Sequence, residues 1–373
     1  MQNRINRQEI MKNLWKSIKR FFKCLGVKSP EIRENTFIVW EPCSKSHAEV
    51  VPGFARYLLD CGYHVSILLN TARYDEGLFD RFPEENISFN YMSKGNIRRF
   101  FRKNDLHNVC GVLVTTVGKL CKNTDLDEAY THFSAAADRR KIFFVEHDAK
   151  IAIDENRWDE KVITLRKLNY KNARSTVVNP HCFGKVTING KNRDIVNFVT
   201  VGAINPKRKN SSMIINAAKT LTSAGITNFK VTVIGKGELK ELPPELHDYF
   251  DIKGRLSFSA MYDELEKADF MLTAYDDQNE LHQRYNTVGT SGNFQLVYGF
   301  LLPCIIIESF AALNGFNRDN AIVYERVEDY ADAMKRAIYL TTAEYSAMQS
   351  ELKKYVDDLY SNSLKNLQEV ING

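Results

Sequence analysis

Two kinds of apolar pattern alternate along the chain. Short continuous runs of β-branched and aromatic residues suit strands buried on both faces, and stretches with apolar residues three or four positions apart suit helices with one buried face. Runs of the first kind stand at Phe37–Trp40, Val65–Leu69, Val109–Val114 and Phe143–Val145, with shorter candidates at Val162–Leu165 and Thr176–Val178. Between the first two, Val50, Phe54, Leu58 and Cys61 share one face of a helix expected from about His47 to Cys61, which Gly62 stops. Ile97–Lys103 is basic and aromatic; with no recognition motif beside it, it reads as a surface helix rather than an RNA-binding patch. Turn and linker residues then gather at Pro180, Gly184 and Asn189-Gly190.

After that break the alternation resumes. Strands are expected at Phe198–Val201, Phe229–Ile234, Phe250–Lys253, Phe270–Thr273 and Ile305–Ile307. Helical faces are formed by Met213, Ile214, Ala217, Ala218 and Leu221, and by Phe258, Met261, Leu265 and Ala268. Two helices, from about Val327 to Leu340 and from Ala343 onward, end the chain. Strands separated by helices predict an α/β protein with parallel sheets and right-handed crossovers. The pattern divides the chain into an amphipathic segment (1–29), a first Rossmann-like domain (30–185), a second (186–342) and a terminal helix (343–373).

Composition narrows this only a little. A length of 373 residues suits two domains, and 44% apolar with 26% charged residues is the balance of a folded chain. The net charge of +5 permits an anionic ligand and does not call for nucleic acid. Seven scattered cysteines without a CxxC pair argue against a disulfide framework or a zinc site, which places the protein in a reducing cytoplasm. No run spans a bilayer and none resembles a cleavable signal. Within residues 1–28, Met11, Trp15, Ile18, Phe22 and Leu25 share a helical face flanked by Lys12, Lys16, Lys19, Arg20 and Lys23. Such a helix suits an anionic membrane surface, peripheral on its inner face, or docking on protein.

The chemistry concentrates after Phe198. The stretch NFVTVGAINPKRKN joins a strand to Gly202 and then to a basic loop holding Lys207, Arg208 and Lys209. The next strand ends in Gly235-Lys236-Gly237, and the one after in Gly254-Arg255-Leu256. Thr290-Ser291-Gly292-Asn293 precedes an apolar segment, Phe294–Leu302, expected to be helical. That aims the orphan N–H groups and partial positive charge of a helix N-terminus at the same region, as phosphate binding requires, although these residues also make an ordinary N-cap.

These pieces, VGAINPKRKN, VTVIGKGEL, IKGRLS, YDELEKADFMLTAY and RYNTVGTSGNFQLVYGFLLPCII, resemble in content and spacing the nucleotide-sugar half of GT-B glycosyltransferases. The likeness is to glycosyltransferase family four and bacterial surface-polysaccharide transferases. It extends more weakly to the first half through HAEVVPGFARYLLDCGYHV and FVEHD. The resemblance implies two Rossmann-like domains facing across a cleft, a nucleotide-sugar held by the second, a glycan or lipid-linked acceptor presented by the first, and a terminal helix (343–373) that returns toward the first. The donor is expected to be UDP- or GDP-linked, and neither a metal nor a further cofactor is implied; Asp276-Asp277 reads as loop. Donor contacts are implied for Gly202, Arg208, Lys209, Gly235, Gly254, Arg255, Thr290, Ser291, Gly292 and Asn293, with Arg284 and Tyr285 as a further cation and stacking ring.

On the acceptor side His47, Glu49 and His147 are the candidates for contacting or deprotonating a hydroxyl. The chain departs from the family in three places. Val288–Leu296 holds no acidic residue where two glutamates are usual, Ala203 stands for a frequent arginine, and Glu41–Ser46 replaces a glycine-rich loop. These departures leave retaining and inverting outcomes both open, with a catalytically silent scaffold as the alternative to an enzyme. A dinucleotide oxidoreductase is disfavoured because Gly235-Lys236-Gly237-Glu238-Leu239-Lys240 lacks the third glycine of its fingerprint.

Overall fold

The computed structural model describes residues 18, 30, 32–43, 47–82, 85–103, 106, 109–117, 141–156, 158, 162–191, 194–204, 209–237, 239 and 242–373. The amphipathic segment at the amino terminus (Ile18 apart), Ser44–Ser46, and Lys207 and Arg208 of the basic loop lie outside these. Contacts divide the chain into two compact units, Met1–Gly77 with Pro83–Glu146, and Leu78–Phe82 with His147–Gly373.

The chain order begins β1 (Thr36–Trp40), α1 (Val51–Asp60), β2 (His64–Asn70), β3 (Ile87–Met92), α2 (Lys94–Lys103), β4 (Val109–Val117), β5 (Ile142–Glu146), α3 (Lys150–Asp154), β6 (Ile163–Thr164) and β7 (Thr176–Val177). These strands form one sheet in the order β3-β2-β1-β4-β5-β6-β7. β1 lies between β2 and β4 and pairs in parallel with both, and every residue in it is buried, which is why FIVW reads as an unbroken apolar run. α2 turns Ile97, Phe100 and Phe101 onto this sheet, with the Phe101 ring 5.3 Å from Trp40, and leaves Arg99 and Arg102 exposed. The helix expected from His47 starts as a 3-10 turn at Ala48–Val50. His47 takes a left-handed backbone (φ 67°) before it, and Pro52, which lacks an N–H, sits in the first turn of α1.

β3 has no counterpart among the strands expected from the sequence. Its Ser88 and Asn90 interrupt what would be a continuous apolar run, and Asn90 Nδ2 is satisfied by Ser66 Oγ (3.1 Å) and the Ile67 carbonyl (3.2 Å).

The second sheet follows: β8 (Val196–Val201), α4 (Ser211–Ser223), β9 (Phe229–Ile234), β10 (Phe250–Gly254), α5 (Phe258–Lys267), β11 (Phe270–Leu272), α6 (Glu280–Thr287), α7 (Gly292–Gly299), β12 (Cys304–Ile307), α8 (Glu308–Ala311), β13 (Ile322–Tyr324), α9 (Tyr330–Tyr339) and α10 (Thr342–Asn372). Its strands pair in parallel in the order β10-β9-β8-β11-β12-β13. With every strand running the same way, the loops after β8, β9 and β10 emerge at one carboxyl edge, the edge where open α/β sheets bind ligands.

α7 ends at Gly299, three residues before the expected Leu302. Leu301 takes φ 44°, and the Leu302 N–H returns to the Val297 carbonyl (3.0 Å), a helix stop of the left-handed kind. α10 begins with a reciprocal Thr341/Glu344 cap. Near its other end Ser363 Oγ accepts from Asn179 N (3.0 Å) and Asn366 Nδ2 donates to the Val177 carbonyl (2.8 Å).

Candidate active site

The three glycine loops at the carboxyl edge of the second sheet are laced by backbone hydrogen bonds. Gly202 N donates to Ile234 O (2.8 Å), Ile204 N to Lys236 O (3.0 Å) and Gly235 N to Gly254 O (2.9 Å). Gly235 is packed so closely that a Cβ there would lie 1.7 Å from the Gly202 carbonyl oxygen. Gly202, Gly235 and Gly254 therefore stand together, and Arg255 is exposed beside them. An apolar pocket lined in part by Gly202, Ala203, Ile204, Val233 and Phe250 opens next to Lys209.

Lys209 turns inward at this edge and is only 9% exposed. Its Nζ donates to Thr200 Oγ1 (2.9 Å) and to the Val201 carbonyl (2.5 Å). The hydrogen-bond pattern assigns the Asn293 amide with its nitrogen donating to Val201 O (2.8 Å) and its oxygen accepting from Lys209 Nζ (2.5 Å). The end of β8 and the start of α7 are thus tied through one ammonium and one amide. No carboxylate pairs with Lys209 among the described residues, and burial pulls its pKa down to about 7. Ser291 caps α7, accepting from Asn293 N (3.3 Å), and the buried Tyr275 hydroxyl donates to Ser291 Oγ (2.5 Å). Thr290, Ser291, Gly292, Asn293 and Lys209 therefore share one place. Arg208 lies outside the described residues.

The strand-end loop that holds His147 runs alongside the turn before α7. Asp148 and Gly289 form an antiparallel bridge, and a Cβ on Gly289 would lie 2.9 Å from the His147 carbonyl oxygen. Ala149 N donates to Val288 O (3.1 Å) and Asn169 N to Thr287 O (2.9 Å). Arg284 pairs with Asp148 (3.3 Å) and lies over the Tyr285 ring. That ring is 6% exposed and faces Tyr275 at 5.1 Å inside the core. His147 is thereby brought to the Thr290–Asn293 cluster, while Tyr285 serves packing. His47 and Glu49, both half-buried, stand in the other unit at the entry to α1.

Two residues not singled out in the sequence hold unusual environments. Glu41 directly follows β1 and is 1% exposed; Thr115 and Thr116 hydroxyls donate to its Oε2 (2.7 and 2.6 Å) and Cys43 N to its Oε1 (2.5 Å). Burial raises its pKa to about 7 despite those bonds, and the nearby Glu49 adds to the rise. Arg166 closely follows β6, is 7% exposed, and donates from Nε to the Gly289 carbonyl (2.8 Å). The signal for both was a charged residue just past an apolar strand, where a chain normally turns to solvent.

Among solved structures the chain is similar to WaaG, a glycosyltransferase involved in lipopolysaccharide biosynthesis (TM-score 0.50, 14% identity, 91% of this chain and 100% of that one). It is also similar to Anabaena HepE in complex with UDP and glucose (0.57, 10%, 91% and 100%), and to AviGT4, a glycosyltransferase involved in avilamycin A biosynthesis (0.52, 12%, 91% and 99%). The chain has the GT-B fold. No protein-family model matches its sequence, and no curated protein sequence matches it either. On this GT-B framework the turn into α7 is built without carboxylates. Gln295 is 1% exposed with both amide atoms unpartnered among the described residues, and Asn286 Oδ1 is buried and unpartnered as well.

Proposed function

We propose that the protein is a glycosyltransferase that moves a sugar from a UDP- or GDP-linked donor to a glycan or lipid-linked acceptor in bacterial surface polysaccharide synthesis, without a metal. The observation that carries this reading is the junction of Lys209 with Asn293 at the start of α7, on the carboxyl edge of the second sheet. An ammonium and a capped helix N-terminus at one point favour a diphosphate. A phosphate oxygen would replace one of the three neutral acceptors on Lys209 Nζ, and a charged acceptor holds an ammonium better than a carbonyl or hydroxyl does. The fold is that of HepE, whose structure contains UDP and glucose. His147, beside the same turn, is the group for the acceptor hydroxyl.

The absence of acidic residues from Val288 to Leu296 favours a second reading, a silent GT-B protein partnering an active transferase. A thermal-shift panel of UDP-, GDP- and other nucleotide-sugars, with hydrolysis followed in parallel, separates the two. The enzyme reading predicts stabilisation by one nucleotide class and slow hydrolysis of its sugar; no response to any donor sinks it. We read residues 1–28 as a peripheral contact with anionic membrane. Deleting them should abolish co-sedimentation with anionic vesicles while the remainder stays folded, and unchanged sedimentation would refute the contact.

No helix among the described residues is long and apolar enough to cross a membrane.

A further inference from the structure

Arg166 is a buried guanidinium held, among the described residues, by neutral groups. Nε donates to Gly289 O (2.8 Å), Nη1 to Lys167 O (2.9 Å), and Nη2 has no partner among the described residues. No carboxylate pairs with it there. Burial lowers its pKa to about 10, which still leaves it charged at neutral pH. A buried, unpaired charge is among the costliest features a fold can carry, and an apolar side chain of similar size would serve packing better. Of its two bonds, the one to a residue distant in sequence runs to the turn that enters α7. Three further ties from residues 148–169 to this turn (Asp148 to Gly289, Ala149 to Val288, Asn169 to Thr287) are made by backbone, and do not depend on residue type.

We propose that Arg166 is a positioning residue for the donor diphosphate. Through the Gly289 carbonyl it fixes the peptide ahead of Thr290, and its unneutralised charge lies behind the turn that the diphosphate would face. The inference rests on the donor site proposed above. Among the described residues no carboxylate offsets this cation, and a bound diphosphate would bring negative charge to the turn it supports. The interaction belongs to the phosphates at the turn and not to the base or ribose, so a nucleoside monophosphate should feel it far less than a diphosphate.

The test is a titration of UDP, UMP, GDP and GMP into the wild type, Arg166→Met and Arg166→Lys, with thermal stability measured on each. Arg166→Met should weaken the diphosphate by about tenfold, the scale of one charge-assisted hydrogen bond. It should leave the monophosphate within about twofold and keep or raise the melting temperature, since a buried charge is removed. Arg166→Lys keeps the charge but not the fork, and should fall between. Equal weakening of mono- and diphosphate with a lowered melting temperature would mean a structural arginine and overturn the proposal. If Arg166→Met does not fold, the same comparison on Arg166→Lys decides. A wild type that binds neither diphosphate overturns the donor-site reading itself, and this inference with it. A wild type that binds diphosphate as tightly as both variants overturns only the role of Arg166.

Discussion

Glu41 sets a pH dependence that a single substitution exposes. Its carboxyl has a pKa near 7 in the folded chain against 4.5 for an ordinary glutamate, so between those values the folded state holds more protons than the unfolded one. The stability it contributes is full below about pH 4.5 and is lost as pH rises through 7. Glu41→Gln removes that loss. Its amide oxygen can keep the Cys43 N–H, and the Thr115 and Thr116 hydroxyls can turn to accept from its nitrogen. Urea unfolding should show the variant gaining on the wild type from pH 5 to pH 8; a difference constant with pH would show that the carboxyl does not titrate there. Lys209 has the opposite sign. Its pKa is lowered to about 7, so its buried charge destabilises the fold below that pH and the penalty fades as pH rises toward 10.5.

At the scale of elements, the glycine loops after β8 and β9 act as one piece. Gly235→Ala would place a Cβ 1.7 Å from the Gly202 carbonyl, backbone against side chain with no rotamer to relieve it. The loops would have to part, at a cost of at least about 2 kcal/mol and with donor binding lost. Gly190→Ala, where nothing lies within 4 Å, should be close to neutral in the same denaturation experiment. A Gly235→Ala variant as stable as Gly190→Ala would contradict this packing.

These buried parallel strands were also the most legible part of the chain. β1, β2, β4 and β8 are largely apolar runs because both faces are largely covered, whereas β9 alternates and leaves Lys230 exposed. β3 was not legible, since Ser88 and Asn90 interrupt its apolar run, and the Asn90 amide finds its partners on the neighbouring strand. The end of α7 was not legible either. Apolar residues continue to Leu302 for packing, while Gly299 approaches the His181 carbonyl and the backbone turns left-handed at Leu301. For the site, glycines and a capping serine showed themselves through residue type. Arg166 and Glu41 did not, because a buried charge looks like a surface charge until the partners arriving from distant strands are known.

For the whole molecule, identities of 10–14% to proteins of the same fold show how little of the GT-B plan depends on particular residues. Parallel strands, helical crossovers and loops collected at one sheet edge are enough to preserve it. What individual residues add is the charge pattern at that edge. Here it is cationic and amide-rich, with Lys209 and Arg166 buried and without a carboxylate partner among the described residues, and with the Asn286 and Gln295 amides close to the turn into α7 in sequence.

The central claim is that a nucleoside diphosphate binds between Lys209 and the start of α7. Calorimetric titration of UDP and GDP into the wild type, Lys209→Met, Gly292→Val and the exposed control Lys219→Ala tests it most directly. One of the two should bind the wild type and Lys219→Ala alike, and roughly 10- to 150-fold more weakly to Lys209→Met, the worth of one charge-assisted hydrogen bond. Gly292→Val should weaken it as well by crowding the approach to the helix N-terminus, and wild-type affinity should fall as pH rises above 7, where Lys209 gives up its proton. Equal affinity across all four folded proteins, or no binding of either nucleotide to the wild type, would contradict the account.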